Sequence, residues 1–392
     1  MTLRFPFPPV KKGCKLRWAV FICGASLLCL GSWIDNIRGP LLPVMAKMMN
    51  LDHQSSGMIM ALGNFVAMAT TWLLMPLLNK WSLKRTGVTV LIYTAMTMAA
   101  TVFVTTKSSL FIWGALIGGC ISTMGSLSNL FVQNGVGPRQ RGQVMSALHS
   151  LYGLSSFFAP WVAGVVLEHP EHWRSLFISL APPAATLAMI VFKYGPDSGV
   201  SNSIKVSAQP LSLKPIHILT IAVLVAYVVS EVLTSTWMAS YLVSEFNLSI
   251  KEASWYTSMF FAAMLVTRIA CGIWARPRWH RVLIWVSLLT SMMCFITARL
   301  TGWLWLLPLA GLFGPFFPLY VTWVSLRFPE RDRSMVIWML AGMQGALAIV
   351  NVLIGRIADF YGFGVAFWVP ALSMVATVIL LKILEWRDHE SL

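Results

Sequence analysis

Long apolar runs alternate with short polar turns along almost the whole chain. Twelve such segments lie at about 18–46, 54–78, 87–106, 110–135, 142–167, 173–193, 216–244, 253–275, 280–299, 302–326, 334–357 and 362–386. A run of about 20 apolar residues spans a bilayer as a helix, and these runs are far too long for barrel strands. The pattern therefore predicts an all-α polytopic membrane protein with 12 transmembrane helices. The one long polar interval, Tyr194–Lys214, is rich in Ser, Gly and Pro and reads as a linker. It divides the chain into a six-helix bundle at 1–193, a cytoplasmic linker at 194–214 and a second six-helix bundle at 215–392.

The two bundles share weak internal echoes. Arg141 precedes Gly153 by twelve residues after segment 4, and Arg333 precedes Gly345 by twelve after segment 10. The following segments close with Gly164 and Glu168 in one half and Gly355 and Asp359 in the other. Basic turns, NKWSLKRTG and WARPRWHR, follow segments 2 and 8. With the six-linker-six layout, these echoes predict two parallel repeats, the major facilitator arrangement.

Composition supports the membrane reading. Hydrophobic residues make up 57% of the chain, charged residues only 11%, and the mean hydropathy is +0.72, whereas soluble domains carry about 25% charge. The net charge of +15 would suit a nucleic-acid binder, but its distribution is topological. With the N-terminus inside, 21 Lys and Arg fall on the cytoplasmic side. Five (Lys47, Lys107, Arg174, Lys251 and Arg299) fall outside. The positive-inside rule then places both termini in the cytoplasm of a plasma (bacterial inner) membrane. No nucleic acid is expected as a partner. Lys11–Arg17 before an apolar run resembles a signal peptide, but the run has no small-residue cleavage site and reads as a retained first helix.

The six cysteines are scattered and form no CxxC, so they read as small packing residues. No metal-ligand spacing, phosphate loop or nucleophile elbow appears. The expectation is a non-enzyme with no cofactor and no metal, acting as a monomer on a small solute and on protons. The sequon Asn247-Leu-Ser249 adds nothing without an organism.

Polar groups inside the spans carry the candidate chemistry. Of fourteen acids, only Asp35, in segment 1, and Glu231, in segment 7, lie well within a spanning run. A charge at the centre of a membrane helix costs at least about 2.5 kcal/mol, so each acid needs a partner, water or a proton. Segments 1 and 7 are equivalent in the two repeats, which predicts that both acids line a central passage and carry proton coupling. The competing reading makes each an inert member of a structural ion pair. Arg38, at i+3 from Asp35, either neutralises it or meets an anionic substrate group. Gly39, Pro40 and Pro43 predict a break in helix 1 just beyond Arg38.

Softer candidates for substrate contact are Asn129 and Gln133, His149 and Tyr152, and Gln344 and Asn351, whose amides, ring and hydroxyl offer hydrogen bonds to hydroxyls. Each serves equally well as an interhelical bond. Trp237, six residues past Glu231, would stack on a sugar ring or anchor at the interface. Arg268 reads as a snorkelling or structurally paired cation.

Four stretches resemble one family. VTRIACGIWARPRWHRVL (266–283), SALHSLYGLSSFFAPWVAGVVLEHPEHWRSLF (146–177), SEVLTSTWMASYL (230–242) and FGPFFPLYVTWVSLRFPE (313–330) are similar to helices 8, 5, 7 and 10 of the fucose–galactose–hexose proton symporters of the major facilitator superfamily. The resemblance implies alternating access and proton-driven import of small sugars or related compounds. Asp35 matches the helix 1 aspartate of the fucose permease, a proposed coupling group, and Asn129 matches its helix 4 asparagine. The helix 4 glutamate three residues earlier is replaced here by Ser126, so coupling would rest on Asp35 and Glu231. Arg38 departs from a neutral-sugar site and points toward a sugar acid or another organic anion. The alternatives are a proton-driven exporter of drugs or metabolites and a non-transporting membrane solute sensor.

Overall fold

The computed structural model describes residues 17–135, 141–197, 214–274, 279–328 and 332–390. Most of the predicted linker lies outside the described residues. Among those described, the secondary structure is helical throughout, with no strand. Twelve spans follow in order, numbered α1–α12. The first six are α1 (Trp18–Met48), α2 (His53–Lys80), α3 (Leu83–Phe103), α4 (Lys107–Gly135), α5 (Arg141–Val166) and α6 (Pro170–Tyr194). The second six are α7 (Pro215–Phe246), α8 (Ile250–Trp274), α9 (His280–Thr301), α10 (Leu304–Val324), α11 (Asp332–Tyr361) and α12 (Phe363–Arg387).

Eleven of the described helices are long and apolar enough to cross a membrane. The exception is α5, which at 26 residues is long enough. Ser155, Ser156, His149 and Tyr152 dilute its hydropathy, because this helix carries polar groups into the molecule rather than toward lipid. The ends obey ordinary helix chemistry. Asp52 caps α2 by accepting the Ser55 N–H at 2.9 Å, and hydrogen bonding from Ser55, its side chain first and then its backbone, holds the carboxyl below the usual carboxylate range. Asn247 (φ 52°) and Gly302 (φ 74°) close α7 and α9 in the left-handed conformation.

Helix α1 is interrupted, though not where the sequence suggests. The helix stops at Asn36 and restarts at Arg38, then runs through Pro43 to Met48. Pro40 has no N–H to offer the Asn36 carbonyl four residues earlier, so the ladder fails one turn before the proline rather than beyond it. The break is held in place by α5: Ser32 Oγ and Ser156 Oγ lie 2.8 Å apart, Asn36 Nδ2 donates to Ser156 Oγ at 3.1 Å, and Ser155 Oγ donates to the Cys29 carbonyl at 2.9 Å.

The halves meet mainly along α2–α11 and α5–α8. Their closest approach is at the end opposite the linker. There Gly57 of α2 has no room for a Cβ against the Asn351 carbonyl, and Gly355 of α11 has none against the His53 carbonyl. Asp359 of α11 accepts the His53 and Gln54 N–H groups at 2.8 and 2.7 Å, capping the free start of α2 from the other half. Lys251 of α8 meets Glu168, just beyond α5, at 3.0 Å. The second half of α1 lies along α7, with Gly39 against the Ser235 and Thr236 carbonyls. This end of the molecule is sealed.

Candidate functional site

The break in α1 brings Asp35 and Arg38 to the middle of the molecule. Arg38 Nη2 donates to Asp35 Oδ1, and its Nε donates to the Asp35 carbonyl at 3.3 Å. The guanidinium also lies beside Gly63 of α2. In the second half, Arg268 of α8 stands 3.5 Å from Glu231 of α7 and donates its Nε to the Gly314 carbonyl of α10 at 3.0 Å. Both pairs keep solvent access: 31% for the Asp35 side chain, 14% for Arg38, 15% for Glu231 and 11% for Arg268.

Tyr152 of α5 lies within electrostatic range of Asp35, Glu231 and Arg268. His149, one turn earlier on α5, faces Arg268. Tyr227, one turn before Glu231 on α7, faces both Glu231 and Arg268, stacks on Phe316 at 4.2 Å, and donates to the Phe313 carbonyl at 3.3 Å. Asp35, Arg38, His149, Tyr152 and Glu231 thus belong to one cluster drawn from both halves, with two carboxylates balanced by two guanidiniums.

The other candidates stand apart from it. Asn129 donates to its own helix at the Gly125 carbonyl (3.0 Å), while its Oδ1 is buried without a partner. Gln344 Oε1 is likewise buried and unpartnered, and Gln133 is half-buried. No hydrogen bond among the described residues ties these three to the cluster. Trp237 neither stacks in an open site nor anchors at an interface. It is buried at 1% exposure and donates its Nε1–H to Asn351 Oδ1 at 2.8 Å, with Asn351 at 0%. These two residues satisfy each other beside the α2–α11 contact, because a buried indole N–H and a buried amide each need a partner.

Sequence reasoning gave no functional place to Asn36, Ser156 or Tyr227, and assigned Arg268 to a structural role only. A signal for Arg268 does exist: a second intramembrane arginine in a chain with two intramembrane acids suggests two pairs. Asn36 and Ser156 carry no such mark, because serine and asparagine are common in packed membrane helices.

Two helix bundles meeting around paired charges define a transporter architecture of the two-repeat type. The chain belongs to the Major Facilitator Superfamily, whose family model matches residues 21–229 and 219–391. It is an integral membrane transporter. No curated protein matches the chain in sequence. Among solved structures, a D-xylose–proton symporter is similar with a TM-score of 0.73 at 14% identity, covering 94% of this chain and 98% of that one. The nucleoside transporter NupG is similar with a TM-score of 0.67 at 15% identity, covering 94% and 98%. The E. coli fucose–proton symporter FucP has a TM-score of 0.63 at 14% identity, covering 94% and 99%. At these identities the likeness concerns the fold.

Proposed function

We propose that this transporter carries a small polar solute, a sugar or sugar acid, together with protons, by rocking its halves about the Asp35–Tyr152–Glu231 cluster. The observation that carries the reading is that each half holds an acid–arginine pair inside its spans, Asp35 with Arg38 and Glu231 with Arg268, with all four side chains partly exposed. The structural similarity to sugar–proton symporters supports the same reading.

In this scheme a carboxylate can exchange its arginine for a proton. Protonated Asp35 releases Arg38, whose planar fork then donates to a solute carboxylate or hydroxyl pair. Deprotonation restores the Asp35–Arg38 pair and displaces the solute. Proton and solute binding are thereby linked, since both act on one guanidinium. Glu231 and Arg268 form the second exchangeable pair, with His149 beside it. Asn129 and Gln344, each with an unpartnered buried oxygen, and Gln133 supply further solute contacts once the halves close, while Trp237 and Asn351 hold α7 to α11. The proposal includes bundle boundaries at 193 and 215, both termini in the cytoplasm of the plasma membrane, inward transport and a monomer.

The test has two stages. A thermal-shift screen of the purified protein against hexoses, pentoses and hexuronates finds the solute, because a ligand of the folded state raises the melting point. Proteoliposomes holding the protein then take up that labelled solute under an imposed inward pH gradient. Accumulation above the external concentration, abolished by a protonophore, is the expected result. Uptake that only equilibrates, with or without the gradient, contradicts proton coupling.

A further inference from the structure

The seam between α2 and α11 has a register fixed at several points. At the sealed end Gly57 lies against the Asn351 carbonyl and Gly355 against the His53 carbonyl. Farther along, a Cβ at Gly345 would meet Met68 Sδ at 3.9 Å, and Trp72 packs edge-on against Trp338 at 6.1 Å. Asn64 stands seven residues beyond Gly57, and Gln344 seven residues before Asn351. Seven residues is close to two helical turns. Asn64 and Gln344 therefore sit level with each other on the two faces that meet, one from each half.

Both amides lack partners among the described residues. Asn64 is only 8% exposed, and its Nδ2 is buried without a hydrogen bond. Gln344 Oε1 is buried and unbonded as well. One atom is a donor and the other an acceptor, yet no hydrogen bond joins them. Amides in packed membrane helices ordinarily bond across the interface, and a buried polar group left alone bears its whole desolvation cost. The group that fits between a free donor and a free acceptor is one that both accepts and donates, as a hydroxyl does. A charge lies close by: the Arg38 guanidinium is 3.6 Å from where a Cβ would stand on Gly63, the residue next to Asn64.

We propose that Asn64 and Gln344 form a hydroxyl subsite beside Arg38, and that the solute is a hydroxy acid of the hexuronate kind. Its carboxylate meets the Arg38 fork, while one hydroxyl accepts from Asn64 Nδ2 and donates to Gln344 Oε1. The inference rests on the solute-binding role proposed for Arg38 and adds Asn64, a residue of α2, to the site. A solute held this way bridges the halves. Closing the seam on a hydroxyl satisfies two groups that closing it empty leaves stranded, so bound solute favours the sealed state.

The test titrates full-length protein in detergent with D-glucuronate, D-galacturonate and cyclohexanecarboxylate, a ring acid without hydroxyls. Affinity is read by calorimetry and stability by melting temperature. At least one hexuronate is expected to bind and to raise the melting temperature, with cyclohexanecarboxylate about tenfold weaker or more. Asn64→Leu and Gln344→Met keep side-chain size and remove the polar atoms. Each should weaken hexuronate binding about tenfold, while the solute-free variant melts no lower than the parent. Either variant suffices if the other fails to fold. Ser291→Ala removes another buried, unpartnered group, on α9, and should leave hexuronate binding unaltered. Four results would each overturn the proposal: no hexuronate binding by the parent, cyclohexanecarboxylate binding as tight as the hexuronates, variants that bind like the parent, or solute-free variants that melt lower, the mark of a bond already made between the helices. These are equilibrium readouts, so a loss of proton coupling in the uptake assay leaves them standing. Their failure in turn leaves gradient-driven uptake of another solute class standing.

Discussion

The two halves each bring one acid and one arginine to the centre, but they build the pair differently. In the first half, Asp35 and Arg38 are three residues apart on one interrupted helix. In the second, Glu231 and Arg268 come from α7 and α8, and Arg268 is also tied to α10 through the Gly314 carbonyl. The first pair is local to one helix. The second is a brace across three helices. Breaking the second should therefore cost stability, whereas breaking the first should mainly cost coupling.

The largest stability effect should follow Arg268→Ala, which leaves Glu231 without its cation inside the membrane. Loss of one partner of a buried pair costs about 3 kcal/mol, read as a lower melting temperature in detergent. The variant Glu231→Gln/Arg268→Met should recover most of that loss, since no charge remains uncompensated, while gradient-driven uptake stays absent. If the double variant melts as low as the single one, the brace is not electrostatic. Trp237→Phe should cost about 1–3 kcal/mol by stranding Asn351 Oδ1, with solute affinity little changed. A selective loss of solute affinity with the melting point intact would instead return Trp237 to the solute site. Asp359→Asn removes the charge that one half places on the start of the other's α2. It should shift the balance away from the sealed state by about fivefold, seen as faster labelling of a cysteine introduced at the sealed end. The smallest effect is Asp52→Ala, a lost helix cap worth about 1 kcal/mol with transport unchanged.

Much of this organisation was legible in the apolar pattern, because a bilayer forces span length and charge placement onto the sequence. The twelve segments, the two related halves and the singular position of Asp35 and Glu231 all follow from it. The break in α1 was legible as well, but at the wrong residue: a proline's missing N–H is felt by the carbonyl four residues back. The repeated glycine and acid at Gly164–Glu168 and Gly355–Asp359 was visible only as an echo. In three dimensions both copies lie at the sealed end, one acid meeting Lys251 and the other the start of α2. What periodicity cannot supply is the order of helices around the centre. Gln344 and Asn351 share a helical face in sequence, yet Asn351 is consumed by Trp237 while Gln344 keeps a free buried oxygen.

The central claim is that Asp35 and Glu231 are exchangeable proton sites serving one solute cluster. It is tested most directly by uptake into proteoliposomes under an inward pH gradient, comparing the parent protein with Asp35→Asn and with Glu231→Gln. The account predicts that at least one substitution abolishes accumulation above equilibrium, with solute exchange at equal pH preserved in that variant. Full gradient-driven accumulation by both variants would contradict it.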